Sequence, residues 1–228
     1  MATRPISFSV GEFYHIYNRG TDKREVFLDD YDRDRFIKLL FVANGVEPFV
    51  FREFPPGLSY INFKRGGPIV GVGSYCLMPN HFHLLLKETE ENGISRFLAK
   101  TLTSYSSYFN KKYKRTGRLF EGTFKATHAD TDEYLKYLYA YIHLNPVKLI
   151  NKNWKENGIS DHEYTRRFLE SYKYSSYIDF VGKERKEKAI LDTKSFPEYF
   201  AGVNDFDKFV NEWLSYKDFD SDLISKNT

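Results

Sequence analysis

The stretch IVGVGSYCLMPNHFHLLLKE, residues 69–88, decides the fold. Residues 69–78 are β-branched, aromatic and small, and read as a strand. Pro79-Asn80 break the run, and HFHLLLKE at 81–88 reads as a second strand joined to the first by a hairpin-like or bulged connection. Side chains of a strand alternate between its two faces, so His81 and His83 project to one side and Phe82 to the other. Leu84, Leu85 and Leu86 anchor the strand in a core.

Upstream, VGEFYHIYNR (10–19) nearly alternates and is closed by Gly20, which predicts a strand. Asp29-Asp30 then precede Phe36, Leu39, Leu40 and Ala43 at helical spacing, and Gly45 marks the end of that helix. Residues 45–68, punctuated by Pro48, Pro55-Pro56-Gly57 and Gly66-Gly67-Pro68, read as a loop or small hairpin insertion. Downstream, Ile94, Phe97, Leu98, Leu102, Tyr105, Tyr108 and Phe109 recur at three and four and predict a helix to about Lys112. RLFEGTFKAT (118–127) reads as a fourth strand with Gly122 as a bulge. Asp130 to Asn145 reads as a helix, with Asp130 as its cap and Pro146 ending it.

The order strand, helix, two strands, helix, strand, helix is the split βαβ pattern of an α+β, ferredoxin-like fold. Two helices are expected on one face of the sheet, with the helix at 130–145 and a C-terminal extension as additions. The expected division is 1–150 for the main domain, with the insertion at 45–68, and 151–228 for a helical extension packed on it. Within the extension, Phe206 to Tyr216 reads as a short amphipathic helix.

Composition sets outer limits. The chain has 228 residues, 41% of them hydrophobic and 29% charged, which excludes disorder throughout. A single cysteine, Cys76, excludes an intrachain disulfide framework and a cysteine-built zinc site, and fits a reducing compartment. No apolar run is long enough to cross a membrane, and MATRPISFSV has no secretory signal core, so the expected location is the cytoplasm.

The formal charge of +3 hides an uneven distribution. From residue 96 to 125 there are eight basic residues (Arg96, Lys100, Lys111, Lys112, Lys114, Arg115, Arg118 and Lys125) and one acid, Glu121. Tyr105, Tyr108, Tyr113 and Phe120 interleave with them, the combination that phosphate neutralisation and base stacking require. A solvated helix face would show the same charges. Residues 192–222 carry eight acids and three bases, an acidic tail that could dock on the basic stripe.

Two groups carry chemistry. His81 and His83 can hold a borderline divalent cation, or be two histidines on a half-exposed strand. On the helix at 130–145, Tyr141 and Asn145 share a face. A tyrosine hydroxyl can attack phosphorus when a cation helps, and the Asn145 amide oxygen is a feasible third ligand. Tyr134, Tyr137 and Tyr139 compete with Tyr141, or all four pack in the core. His15 faces either a metal or the core, and His128 and His143 are expected at the surface.

The runs GEFYHIYNRG, VFLDDYDRDRFIKLL, YCLMPNHFHLLLK, GRLFEGTFKA and YLKYLYAYIHLNPVKLI together resemble the IS200-like single-tyrosine transposases, and within them the REP-associated tyrosine transposases. The resemblance spans roughly residues 10–150. It implies a metal pair His81 and His83 binding Mg²⁺ or Mn²⁺, a nucleophile Tyr141, and Asn145 at the position of a third ligand, where relatives carry glutamine. It implies cleavage and rejoining of single-stranded DNA through a 5′-phosphotyrosine, on substrates with hairpins, by a homodimer with the tyrosine helix acting in trans or by a monomer. A hairpin-binding protein without turnover, and a metal-dependent hydrolase using water, are the alternatives.

Overall fold

The computed structural model describes residues 7–50 and 59–215. Four strands form one antiparallel sheet: β1 (Phe13–Arg19), β2 (Val70–Met78), β3 (His81–Glu88) and β4 (Lys125–His128). Their order across the sheet is β2-β3-β1-β4, all neighbours antiparallel, which is the ferredoxin-like arrangement. The α+β expectation therefore holds. A register shift between Val72 and Ser74 places a bulge in β2, at Gly73, where the Phe196 ring lies against the backbone.

On one face lie α1 (Asp30–Val42) and α2 (Gly93–Lys112). Asp29 caps α1, its carboxylate accepting from Asp32 N while the Asp32 carboxylate accepts from Asp29 N. Phe36, Leu39 and Leu40 of α1 and Phe97, Leu98 and Tyr105 of α2 bury against Phe82, Leu84 and Leu86 of β3. Full burial of each such side chain is worth about 1.5–3 kcal/mol.

The opposite face is covered by α3 (Asp132–Leu144), whose Leu135, Leu138 and Ile142 pack with Leu85, Cys76 and Met78. Thr131, not Asp130, caps this helix, accepting from Tyr134 N at 3.2 Å. Pro146 ends the α-helix but not the helical path: residues 145–149 continue as a 3-10 turn, and Asn145 keeps α-helical angles ahead of the proline.

Beyond it come α4 (Trp154–Asn157), α5 (His162–Ser171), α6 (Tyr177–Phe180) and α7 (Val203–Ser215). Phe206, Val210 and Leu214 of α7 bury in the cluster that holds α3, as the amphipathic pattern of 206–216 anticipates. Between α5 and α6, and again at Asp192, the chain runs along the outer edge of β2. Leu77 N donates to Tyr174 O at 3.0 Å, Ser176 N to Tyr75 O at 3.0 Å, and Asp192 N to Val72 O at 2.9 Å.

Two further expectations, on the fourth strand and on the acidic tail, need correction. The fourth strand is four residues long rather than ten. Gly117 and Gly122 adopt positive φ, and Leu119, Phe120 and Phe124 bury from an irregular loop that meets the sheet through a single bridge, Gly20 to Phe120. In the insertion, Val46 N and Glu47 N donate to Gly67 O and Arg65 O, so its ends are tied together, while its tip at 51–58 lies outside the described residues. The described part of the acidic tail, to residue 215, does not lie on the basic stripe: α7 packs on α3, with Trp213 5.1 Å from the Tyr137 ring, and Asp207 pairs with Arg166 at 3.4 Å. The tail beyond residue 215 lies outside the described residues.

Candidate functional site

The odd residues of β3 face α3. His81 and His83 therefore stand on the same face as their cross-strand partners Arg19 and Tyr17 on β1 and Met78 and Cys76 on β2. The two imidazoles are perpendicular, with ring centroids 5.0 Å apart. His15, one step further along the same face of β1, lies near-parallel to His83 with its Nε2 2.9 Å from His83 Nδ1. The alternative that put His15 beside the metal candidates is thus the one the geometry matches. His81 Nδ1 is 2.6 Å from Asn80 Oδ1.

All three imidazoles are held neutral. Burial pushes His15 down to about 3. Burial, with the charges of Arg19 and Lys148, pushes His81 down to about 4. Burial, with His15 next in weight, holds His83 well below the usual histidine range. Neutral imidazoles keep a lone pair for a cation.

From α3, Tyr141 presents its ring edge-on to both His83 (5.4 Å between centroids) and His15 (5.5 Å). One turn on, Asn145 donates from Nδ2 to Tyr141 O at 2.8 Å and faces the same cleft as His81. Lys155 Nζ lies 5.2 Å above the Tyr141 ring. The competing tyrosines do not line the cleft that Tyr141 enters. Tyr139 packs among Phe180, Tyr199 and Phe200, and Tyr134 stacks on Tyr137, itself wedged between Tyr141 and Trp213. Burial raises the Tyr134 hydroxyl to about 12 and carries Tyr139 higher still.

Tyr17, His81, His83, Tyr141 and Asn145 line one cleft of about 560 Å³. Arg19, Lys23, Lys125, Lys148 and Lys152 line it too, with Glu121 as the acid among them. Among the described residues, no group of three or more His, Cys, Asp or Glu side chains is placed to hold a metal ion. The donor set here is two imidazoles and a carboxamide, which suits a divalent cation with coordination positions left for substrate oxygens.

The predicted nucleic-acid stripe is not gathered at this cleft. Lys125 alone of the eight lines it. Lys112 binds Asp29 and Asp32, Lys100 Nζ donates to Gly45 O at 2.6 Å, Arg96 pairs with Glu90 at 2.6 Å, and Arg115 reaches Asn110. The interleaved aromatics turn inward: Tyr105 and Phe120 are buried, and the Tyr108 and Tyr113 hydroxyls donate to Asp32. Lys111 opens with Arg35 and Tyr108 onto a separate shallow groove on the far face.

Arg19, which the sequence offers as a phosphate contact, lines the cleft, whereas sequence reasoning missed Lys23, Lys148 and Lys152. A signal existed in Lys148, Lys152 and Lys155, which follow Asn145-Pro146 within ten residues. His143, expected at the surface, has no exposed area; its Nε2 lies 2.7 Å from Ser176 Oγ, and burial pushes it down to about 3. His128 is partly exposed and lies 2.8 Å from Glu12.

Residues 69–145 match the family described as Transposase IS200 like, and the resemblance read from the motifs is borne out by that match. No curated protein matches the chain. Among solved structures, one described as the REP-associated tyrosine transposase bound to a REP hairpin is 14% identical, with a TM-score of 0.47, covering 89% of this chain and 93% of that one. No helix among the described residues is long and apolar enough to cross a membrane.

Proposed function

We propose that this chain, which over residues 69–145 matches the IS200-like transposases, cleaves and rejoins hairpin-bearing single-stranded DNA by metal-dependent transesterification at Tyr141. The observation that carries the reading is the convergence of Tyr141 with His83 and His81 on a cleft rimmed by cations.

In this reading His81 and His83 hold the ion, Mg²⁺ or Mn²⁺, with Asn145 of the same cleft as third donor. When bound, the ion polarises the scissile phosphate. Arg19, Lys148 and Lys152 hold flanking phosphates and orient the strand across the cleft. The Tyr141 hydroxyl gives up its proton and its oxygen bonds to phosphorus. The bond from phosphorus to the 3′ oxygen breaks, and that oxygen takes a proton to leave as a 3′-OH. A 5′-phosphotyrosine remains, and attack on it by another 3′-OH restores a phosphodiester and frees Tyr141. No external energy source is consumed, because one phosphate ester replaces another.

The test is incubation with labelled single-stranded hairpin DNA and Mn²⁺, followed by a denaturing gel. A covalent adduct present in the parent protein and lost in Tyr141→Phe is the expected result. Binding without any adduct would establish the non-catalytic alternative, and cleavage surviving Tyr141→Phe would establish the hydrolase.

A further inference from the structure

We infer that His15 and Asn80, neither part of the His-Phe-His run, are positioning residues that turn both metal-facing imidazoles the same way, with each Nε2 toward the cleft. The inference rests on the reading of His81 and His83 as a cation site.

Asn80, at the turn between β2 and β3, has a fixed orientation. Its Nδ2 donates to Lys23 O at 3.1 Å, so its Oδ1 is the atom left to meet His81 Nδ1 at 2.6 Å. A carboxamide oxygen only accepts, which places the His81 proton on Nδ1 and the lone pair on Nε2. His15 does the corresponding work for His83 from β1. With His15 Nε2 at 2.9 Å from His83 Nδ1, a His15 ring protonated on Nδ1 accepts the His83 Nδ1–H and leaves His83 Nε2 bare. The His15 ring is fixed between Tyr17 and His83, both 5.1 Å away by centroid, and is 6% exposed, so it has little room to turn.

Two different elements thus supply one partner to each imidazole. Such partners hold ring direction and tautomer, and their loss costs about 10–100-fold in metal affinity. Asn145, which lines the same cleft and whose Nδ2 donates to the Tyr141 carbonyl, then stands as the link from this pair to the tyrosine helix.

The test measures Mn²⁺ affinity of the full chain by electron paramagnetic resonance of the free ion, alongside thermal melting and hairpin DNA binding in chelator. His15→Phe keeps a ring and removes the acceptor; His15→Gln restores an acceptor; Asn80→Ala probes the other partner at a turn. Mn²⁺ binding weaker by about 10–100-fold in His15→Phe and Asn80→Ala, recovered in His15→Gln, with DNA binding in chelator unchanged, is expected. Unchanged Mn²⁺ affinity in a folded His15→Phe or Asn80→Ala overturns the inference while leaving the cation site standing. A parent protein whose Mn²⁺ binding does not depend on His81 and His83 overturns both.

Discussion

Lys112 and Asp32 form an ion pair between α2 and α1, with Nζ 2.8 Å from a carboxylate that has no exposed surface. The same carboxylate accepts from Leu28 N, Tyr108 and Tyr113. Asp32→Ala removes an acceptor shared by Lys112 Nζ, Leu28 N, Asp29 N and the Tyr108 and Tyr113 hydroxyls, and should lower unfolding free energy by about 3 kcal/mol or more. Lys112→Met leaves the other donors in place and should cost about 2 kcal/mol. Urea denaturation checks both; a loss below about 0.5 kcal/mol in Asp32→Ala, the range of an ordinary surface change, would be incompatible with this network.

Lys148 and Lys152 line the cleft, and both are cations that a DNA backbone crossing it would meet. Replacing either by alanine should weaken single-stranded DNA binding. It should also flatten the dependence of log affinity on log salt by about 0.7 for each phosphate no longer neutralised. A salt titration of fluorescence anisotropy measures this slope. Lys112→Met, at a salt where it remains folded, should leave the slope unchanged.

The hydroxyls of Tyr134, Tyr137 and Tyr139 are assigned no chemical role. Each phenylalanine variant should still form the covalent DNA adduct on a denaturing gel. An adduct missing from Tyr137→Phe but present in Tyr141→Phe would move the nucleophile one turn back along α3.

At Gly45 an added methyl carbon would stand 2.2 Å from the Arg65 carbonyl oxygen. That oxygen belongs to backbone tied to Glu47, so it has no flexible end to retreat. Gly45→Ala should therefore cost about 1–3 kcal/mol by forcing the ends of the insertion apart. Thermal melting tests it, and an unchanged midpoint would mean that the segment yields freely.

The framework was legible because it rests on local periodicity. Alternation in 81–88 and the three-and-four spacing in 94–109 survive into the structure nearly residue for residue. The histidine pair and Tyr141 were readable as candidates for the same reason, since strand and helix geometry set which side chains share a face. The grouping of the charges in space was not legible. The bases of 96–125 look like one stripe in sequence, yet Lys112 meets carboxylates some eighty residues earlier, and that pairing has no local signature. His15 was ambiguous because its position beside His83 depends on β1–β3 register rather than on anything within β1. The loop before β4 was read as strand because buried Leu119, Phe120 and Phe124 mimic alternation, while the positive-φ glycines that break it are compatible with either reading.

The segment at 172–176 that runs beside β2 has a consequence for any shortened version of this chain. β2 is the outermost strand of the sheet on that side, its nine residues VGVGSYCLM are all buried, and none carries a charge. Ending the polypeptide near residue 150 would uncover an uncharged rim of unpaired peptide groups, interrupted only by the bulge at Gly73, the kind of border that recruits strands from other molecules. A minimal version trimmed to the ferredoxin-like portion would therefore be expected to self-associate, whatever happens to the chemistry in its cleft.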